Sequence, residues 1–559
     1  MTVWRMHRSA HALGLLLVWA SIHVPVAQAT GTKPLYVVSI GNPARAAQLP
    51  TELAEVHAHG AVDIKINPGV YRLPKTANAN KPVFNLVRWR HVVIGGHHVI
   101  LVMRSTDSGD CFRLDRCRHV TIEGLTIIQT RLTFYQGKIT AVHNTKAGLT
   151  CNWRCAAGYP CPDAHAKGFP ASQFQATTKG RVLFNLVDRE TRRLSRGVPD
   201  LWGRVTPLGS RLWRVAFQDP RLPLKVGDWL VSRYGNWPRK IFLDHSRGCT
   251  VRGVTLMRND FAPIFENYGG GNRLLDDRWV PGPKPAGARQ APLVTNEADG
   301  FHSIGAEPGP SVEHCVFRGV FLDDCIAIHG FFQQVIAGSG RNLTVREHVA
   351  RPYMHADLRV GEPIQISDTH GFFAVARVIS IKCHRNHTVT VTLDRSLAVP
   401  ADADVTNPDH CGQGYRIIDC WLGDTRSRGI IAKANNGIIL NNTIRGCGMA
   451  GICIGPELVH WYEAGYCHNV IIEGNTLSHN GKGGGNNAAI YVHGAVYGCQ
   501  HPNAGAMGNS GIVIRDNTLA ANYSGGIRMT WTDGGVIRGN WFIGGPPSVA
   551  TSHCVLVRH

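Results

Sequence analysis

The chain has 559 residues, 43% of them hydrophobic, with 62 glycines and a formal charge of +20. Such length and apolar content exclude a disordered or fibrous protein, and the glycine content favours a turn-rich β protein over a helical one. The basic balance suits anionic surroundings (acidic polysaccharide, cell wall or nucleic acid), but nothing in the text resembles a nucleic-acid module.

Residues 1–29 read as a signal peptide. Arg5, His7 and Arg8 precede the apolar run Ala12 to Val26, and Ala27-Gln28-Ala29 gives an A-x-A cleavage pattern before Thr30. The run is short and wrongly flanked for a membrane span, and no later stretch has the apolar length to cross a bilayer. The expectation is a secreted or periplasmic protein, whose charge falls from +20 to +18 once Arg5 and Arg8 are removed. All 16 cysteines follow Thr30, so disulfides plus some buried free thiols are expected. Cys151, Cys155 and Cys161 with His165 superficially resemble zinc spacing, but loop disulfides account for them better.

Residues 30–130 read as the first rungs of a repeating β structure. Val62 to Leu73 alternates, turns at Pro-Gly and alternates again, and further strands are expected over 91–103 and 119–127. The phrase HVTIEGLTI at 119–127 recurs as CTVRGVTL, PSVEHCVF, YRIIDCWL, GIILNNTI, NVIIEGNTL, GIVIRDNTL and GGVIRGNWF. Each is a short apolar alternation, a small or amide-bearing turn residue and a second short strand. Asn442, Asn475, Asn517 and Asn540 hold matching places at spacings of 33, 42 and 23, which predicts stacked amides at the turns. Such recurrence predicts a parallel β-solenoid, whereas a sandwich gives no reason for one phrase to repeat. Two blocks, 131–238 and 338–414, break the rhythm and read as inserted small antiparallel β modules. They leave 239–337 as the catalytic rungs and 415–559 as the C-terminal rungs. The second module follows the candidate site directly and reads equally as a wall for it or as a folding appendage.

The chemistry concentrates in Asn296 to Gly330. Asp299 precedes the pair Asp323 and Asp324 by 24 residues, with the alternating run Ser311 to Phe317 read as a strand between them. If one coil takes about that many residues, the three carboxylates share one patch, and their mutual repulsion separates their pKa values. That equips a site for acid/base cleavage of a glycosidic bond without a metal or other cofactor. Neighbouring residues of an ideal strand point to opposite faces, so presenting both Asp323 and Asp324 outward requires a bend. Further candidates for substrate binding are His302 and His329 beside the aspartates, and Arg428 and Lys433 in the segment 424–437. A loop over 454–466 adds Glu457, His460, Trp461 and Glu463, carboxylates and aromatics suited to sugar hydroxyls and sugar faces. Glu266 and Asn267 are weaker candidates for the same face.

The pairing of ADGFHS with LDDCIAIHG resembles right-handed parallel β-helix glycoside hydrolases. Against the polygalacturonase pattern, Glu297-Ala298-Asp299 stands where N-T-D would, Ala432-Lys433 partly matches R-I-K, and the G-H-G motif has no clear counterpart. A closer resemblance is to glycoside hydrolase family 110, the exo-acting α-1,3-galactosidases. It runs through FYQGKITAV, ADGFHS, LDDCIAIHG, DTRSRGIIAKANNGIILNNTI and IGPELVHWYEAGYCHNVIIEGNTL. It implies inversion at the anomeric carbon, with Asp323 as general acid and Asp299 and Asp324 holding and deprotonating the attacking water. Inversion predicts acid and base roughly 6.5–9.5 Å apart, here between Asp323 and the nearer of Asp299 and Asp324, and a single tight cluster would sink the inverting assignment. Two rivals remain. One is a polygalacturonase-like hydrolase or a β-helix lyase on an acidic polysaccharide, the lyase using Lys433 as base and often a bound Ca²⁺. The other is a non-catalytic carbohydrate-binding β-helix.

Overall fold

The computed structural model describes residues 37–556 apart from 77–80, 105–108, 131, 133, 146–147, 163–180, 196–199, 234–238, 348–355, 385–386, 460, 482–487, 495–505 and 546–548. The expected leader and His165 lie outside the described residues. The rest is a parallel β-helix in which each coil lays down three short strands, each hydrogen-bonded to its counterpart in the coils before and after. In one column Thr121–Gln129, Thr250–Arg252, Arg273–Leu275, Ser311–Glu313 and Arg416–Ile418 pair in register. Their central residues Ile122, Val251, Leu274, Val312 and Ile417 form one inward apolar stack, each at most 1% exposed. This stacking is the physical content of the repeated phrase: every second side chain enters the core, and like sits on like.

The turn amides close the ladder. Asn442 Nδ2 donates to Asn475 Oδ1 at 2.9 Å, Asn475 Nδ2 to Asn517 Oδ1 at 3.0 Å and Asn517 Nδ2 to Asn540 Oδ1 at 2.9 Å. A second step of the same kind, Asn480 to Asn522 at 3.1 Å, was not foreseen. Also unforeseen is the α-helix Leu49–Ala58 at the N-terminal end, which lays the buried Leu49 and Leu53 over the core. The run Ser311 to Phe317 is two strands rather than one, Ser311–Glu313 and Val316–Phe317, broken by His314 at φ 55°.

Two closed antiparallel barrels interrupt the helix. The first is built from Phe134–Thr145 through Trp229–Arg233, the second from Gln333–Ser339 through Asp404–Thr406. Cys155 and Cys161 are disulfide-bonded in the first barrel, while Cys151 is a buried free thiol that burial pushes up to about 12. Among the described residues the other cysteines are free and mostly buried, so apolar stacking rather than a disulfide framework holds the coils together. No helix among the described residues is long and apolar enough to cross a membrane.

Candidate active site

Strand Phe301–Ile304 pairs with Ile326–Phe331 in parallel, Phe301 opposite Ile326, so one coil here spans 25 residues. Asp299 therefore lies beneath Asp324, and Asp323 stands one residue earlier on the same bend. The amide of Asp324 donates to Asp299 Oδ1 at 3.1 Å, fixing the two coils against each other at this point. One oxygen from each of Asp299, Asp323 and Asp324 lies within 4.8 Å of the others. The wide gap expected for inversion is absent: the three form one tight cluster, because the register stacks one carboxylate on the next. The spacing accordingly lends inversion no support.

Each carboxylate has a distinct partner. Asp299 Oδ2 meets His302 Nδ1 at 2.7 Å. Asp324 Oδ1 accepts the Arg428 amide at 2.7 Å, with the Arg428 guanidinium 3.3 Å from Oδ2. Asp323 is the most exposed of the three and lies 3.4 Å from Arg426 and 3.6 Å from Arg233. Arg426 also grips Asp200 through Nε at 2.6 Å and through Nη2. Arg233 ends the last strand of the first barrel and Asp200 borders its strand Leu201–Gly209, so it is the first insertion that brings charge to the triad. Sequence reasoning missed Asp200, Arg233 and Arg426. Arg426 had a signal, standing two residues before Arg428 at the same turn.

Burial lifts Asp299 to about 6, against the lowering bond and charge of His302. Asp324 is raised as well, first by burial and further by the Asp323 charge, with Arg428 opposing. Two neighbouring carboxyls are thus moved towards neutrality by a low-dielectric site. A divalent ion would meet three carboxylate oxygens here, but guanidinium groups already face two of the three carboxylates.

Around the triad, Lys433 is buried and ion-paired with Glu463 at 2.5 Å, and Glu463 is 3.6 Å from His329 Nε2. Burial pushes Glu463 up, but the charge and hydrogen bond of Lys433 outweigh it and hold the carboxyl well below its usual range. Glu457 is lifted to about 6 by burial, with Lys433 and Arg428 opposing. The second barrel buttresses this loop: Gln365 Oε1 accepts the Tyr466 amide at 3.2 Å. Trp461 is half-buried in the same loop, and His460 lies outside the described residues. Glu266 and Asn267 do not line the site. Strand parity turns Glu266 inward, where Ser303 Oγ and Asn272 Nδ2 each donate to it at 2.6 Å, and Asn267 binds Asp244 at the far end of the strand.

Fold and site together define a parallel β-helix protein with a three-carboxylate cluster, two of whose members are buried. No protein-family model matches the chain. Half of it is similar to named enzymes: 26% identity over 288 residues with α-1,3-galactosidase A of Bacteroides fragilis, covering 50% of this chain and 46% of that one. With α-1,3-galactosidase B of Bacteroides thetaiotaomicron the identity is 22%, covering 42% and 38%. The chain thus spans less than half the length of these relatives. Among solved structures it is similar to the Azotobacter vinelandii mannuronan C-5 epimerase AlgE4 A-module, at TM-score 0.41 and 10% identity, covering 92% and 96%. It is also similar to an exopolygalacturonase from Thermotoga maritima, at TM-score 0.36 and 9% identity, covering 94% and 92%.

Proposed function

We propose that this protein is an exported glycoside hydrolase that releases terminal α-linked galactose by acid/base catalysis on Asp299, Asp323 and Asp324. The observation that carries the reading is the cluster itself, three carboxylates within 4.8 Å on adjacent coils. The choice of sugar rests on the relatives named α-1,3-galactosidase, and export rests on the leader-like N-terminus.

In this reading Asp323, the most exposed of the three, delivers a proton to the glycosidic oxygen as the bond from that oxygen to the anomeric carbon breaks. Asp299 and Asp324 take the proton of the water that supplies the new hydroxyl at the anomeric carbon, a task suited to carboxyls lifted towards neutral pH. Glu457, Glu463 and Arg428 form the polar wall that takes the sugar hydroxyls, and the buried Lys433 holds Glu463 in place from behind. The lyase alternative is disfavoured because Lys433, its candidate base, is buried and ion-paired with Glu463.

The test is a panel of glycans containing a terminal α-1,3-galactoside, other terminal galactosides and polygalacturonate. Release of galactose from the first supports the reading. Cleavage of polygalacturonate alone, or an unsaturated ultraviolet-absorbing product, overturns it.

A further inference from the structure

One corner of the N-terminal coils carries a repeated basic motif unconnected with the triad. Strands Phe84–Val87, Phe112–Asp115 and Ile241–Asp244 stack in parallel and run into the turns Arg88-Trp89-Arg90-His91, Arg116-Cys117-Arg118-His119 and His245-Ser246-Arg247-Gly248. The turns stay in register: Arg90 bridges to Arg118, Arg118 to Arg247, and the rings of His91 and His119 stack 4.9 Å apart. Cys117 and Ser246 point into the core, whereas Arg88, Arg90, Arg116 and Arg118 are exposed.

Acidic groups neutralise only part of this ladder. Asp115 pairs with Arg116 at 2.8 Å, Asp244 with His245 at 2.8 Å and Glu307 with Arg247 at 3.7 Å. Among the described residues no ion pair engages Arg88, Arg90 or Arg118. The backbone is uniform along the row. Arg88, His91, Arg116, His119 and His245 all have left-handed φ between 50° and 60°. The same conformation recurs at other corners, at Asp276, His314, Asp419, Asn441, Asn469 and Asp516. The conformation is thus common to the corners of this solenoid, and what sets this corner apart is the exposed row of arginines it carries.

We propose that this ladder docks a linear anionic polysaccharide, with guanidinium groups of successive coils pairing with carboxylates or sulfates of successive sugar units. Stacked strands lie about 4.8 Å apart, comparable to the length of one sugar unit in an extended chain. Arginine suits such anions because its planar fork binds them in bidentate fashion. Single-stranded nucleic acid is a poorer fit, since its binders interleave cations with free aromatic platforms, and Trp89 is already stacked on His57 at 3.6 Å. The surface is separate from hydrolysis: Asp299 and Asp324 precede their strands in this column, while the ladder follows its strands at the opposite edge.

The test measures binding of the full chain to polygalacturonate, dextran sulfate, neutral dextran and single-stranded DNA by affinity electrophoresis and calorimetry. Arg90 and Arg118 lie outside the left-handed positions, so Arg90→Glu with Arg118→Glu does not strain the turns, and Arg90→Gln with Arg118→Gln is the milder companion. The control is Arg204→Glu with Arg214→Glu, an equal charge reversal on exposed residues of the first barrel. The expected result is binding to an anionic polysaccharide but not to dextran, weakened about tenfold or more by the ladder reversal. The control pair and Asp323→Asn should bind as wild type. Preference for polygalacturonate identifies carboxylate as the anion recognised, and preference for dextran sulfate identifies sulfate. Equal weakening by ladder and control pairs, no anionic binding, or tighter ladder-dependent binding of DNA overturns the proposal.

Discussion

His302 and His329 meet nitrogen to nitrogen, Nε2 to Nε2, at 2.8 Å. The other nitrogen of His329 donates to the Gly330 carbonyl at 2.7 Å, and burial pulls His329 down to about 3, so it stays neutral and its Nε2 must accept. His302 Nε2 is then the donor, and one proton lies between His302 Nδ1 and Asp299 Oδ2. Burial, the largest influence on His302, pulls it down, but the bond and charge of Asp299 outweigh it and hold it above its usual value. The pair therefore titrates as a unit.

The pH profile follows from that unit. With Asp299 at about 6, kcat/KM should fall on the acid side with an apparent pKa near 6. His302 lowers Asp299, so His302→Phe should move this limb to higher pH, and the shift is read from initial rates across the acid range. An unmoved limb would detach Asp299 from the rate-limiting protonation.

Arg426→Ala should cut kcat about 100-fold, the scale of losing one preorganised charged group at a reacting centre. Arg426 lies 3.4 Å from Asp323 and is itself held by Asp200, so Asp200→Asn should give a smaller loss of the same kind. Steady-state kinetics with a chromogenic galactoside separates kcat from KM.

Thermal stability should rise as pH falls from about 8 towards 5. Glu266, fully buried, is lifted by burial to about 7, against its bonds from Ser303 and Asn272. A carboxyl raised on folding contributes stability that is present below its unfolded value and lost as pH rises through its folded value. For Glu266 that window runs from 4.5 to about 7 and corresponds to roughly 3 kcal/mol. Glu266→Gln should flatten this dependence and raise Tm at pH 8 relative to wild type, as melting curves at pH 5.5 and 8 would show.

Asn475→Ala should destabilise the solenoid by about 3 kcal/mol, because buried donors and acceptors are left unpaired. Asn475 accepts from the Asn442 amide and side chain at 2.9 Å and donates to the Ile439 carbonyl at 2.9 Å. Asn540, at the more exposed end of the same stack, should cost less when replaced by alanine. Chemical denaturation of both variants checks the order.

The coils were legible because a parallel β-helix repeats its inward alternation and its turn amides within each coil, so local text carries the global fold. The aspartates were legible for the same reason, since a separation close to one coil stacks Asp324 on Asp299. What was hidden depended on contacts that local text does not encode. Arg233 and Asp200 reach Asp323 from a barrel inserted far upstream, and nothing in their own segments marks them as site residues. Glu266 was misplaced because a one-residue difference in strand parity decides between core and cleft, and Phe265 takes the outward place. The spacing expected for inversion failed because sequence distance fixed which coils the carboxylates share but not how closely the register would press them together.

The most direct measurement is release of galactose from a terminal α-1,3-galactoside by wild type and by the single variants Asp299→Asn, Asp323→Asn and Asp324→Asn, with melting curves to verify folding. The account predicts release by wild type and a loss of at least about 1,000-fold in each folded variant, the scale expected when a group of a concerted acid/base site is removed. Release that survives in all three folded variants would contradict it.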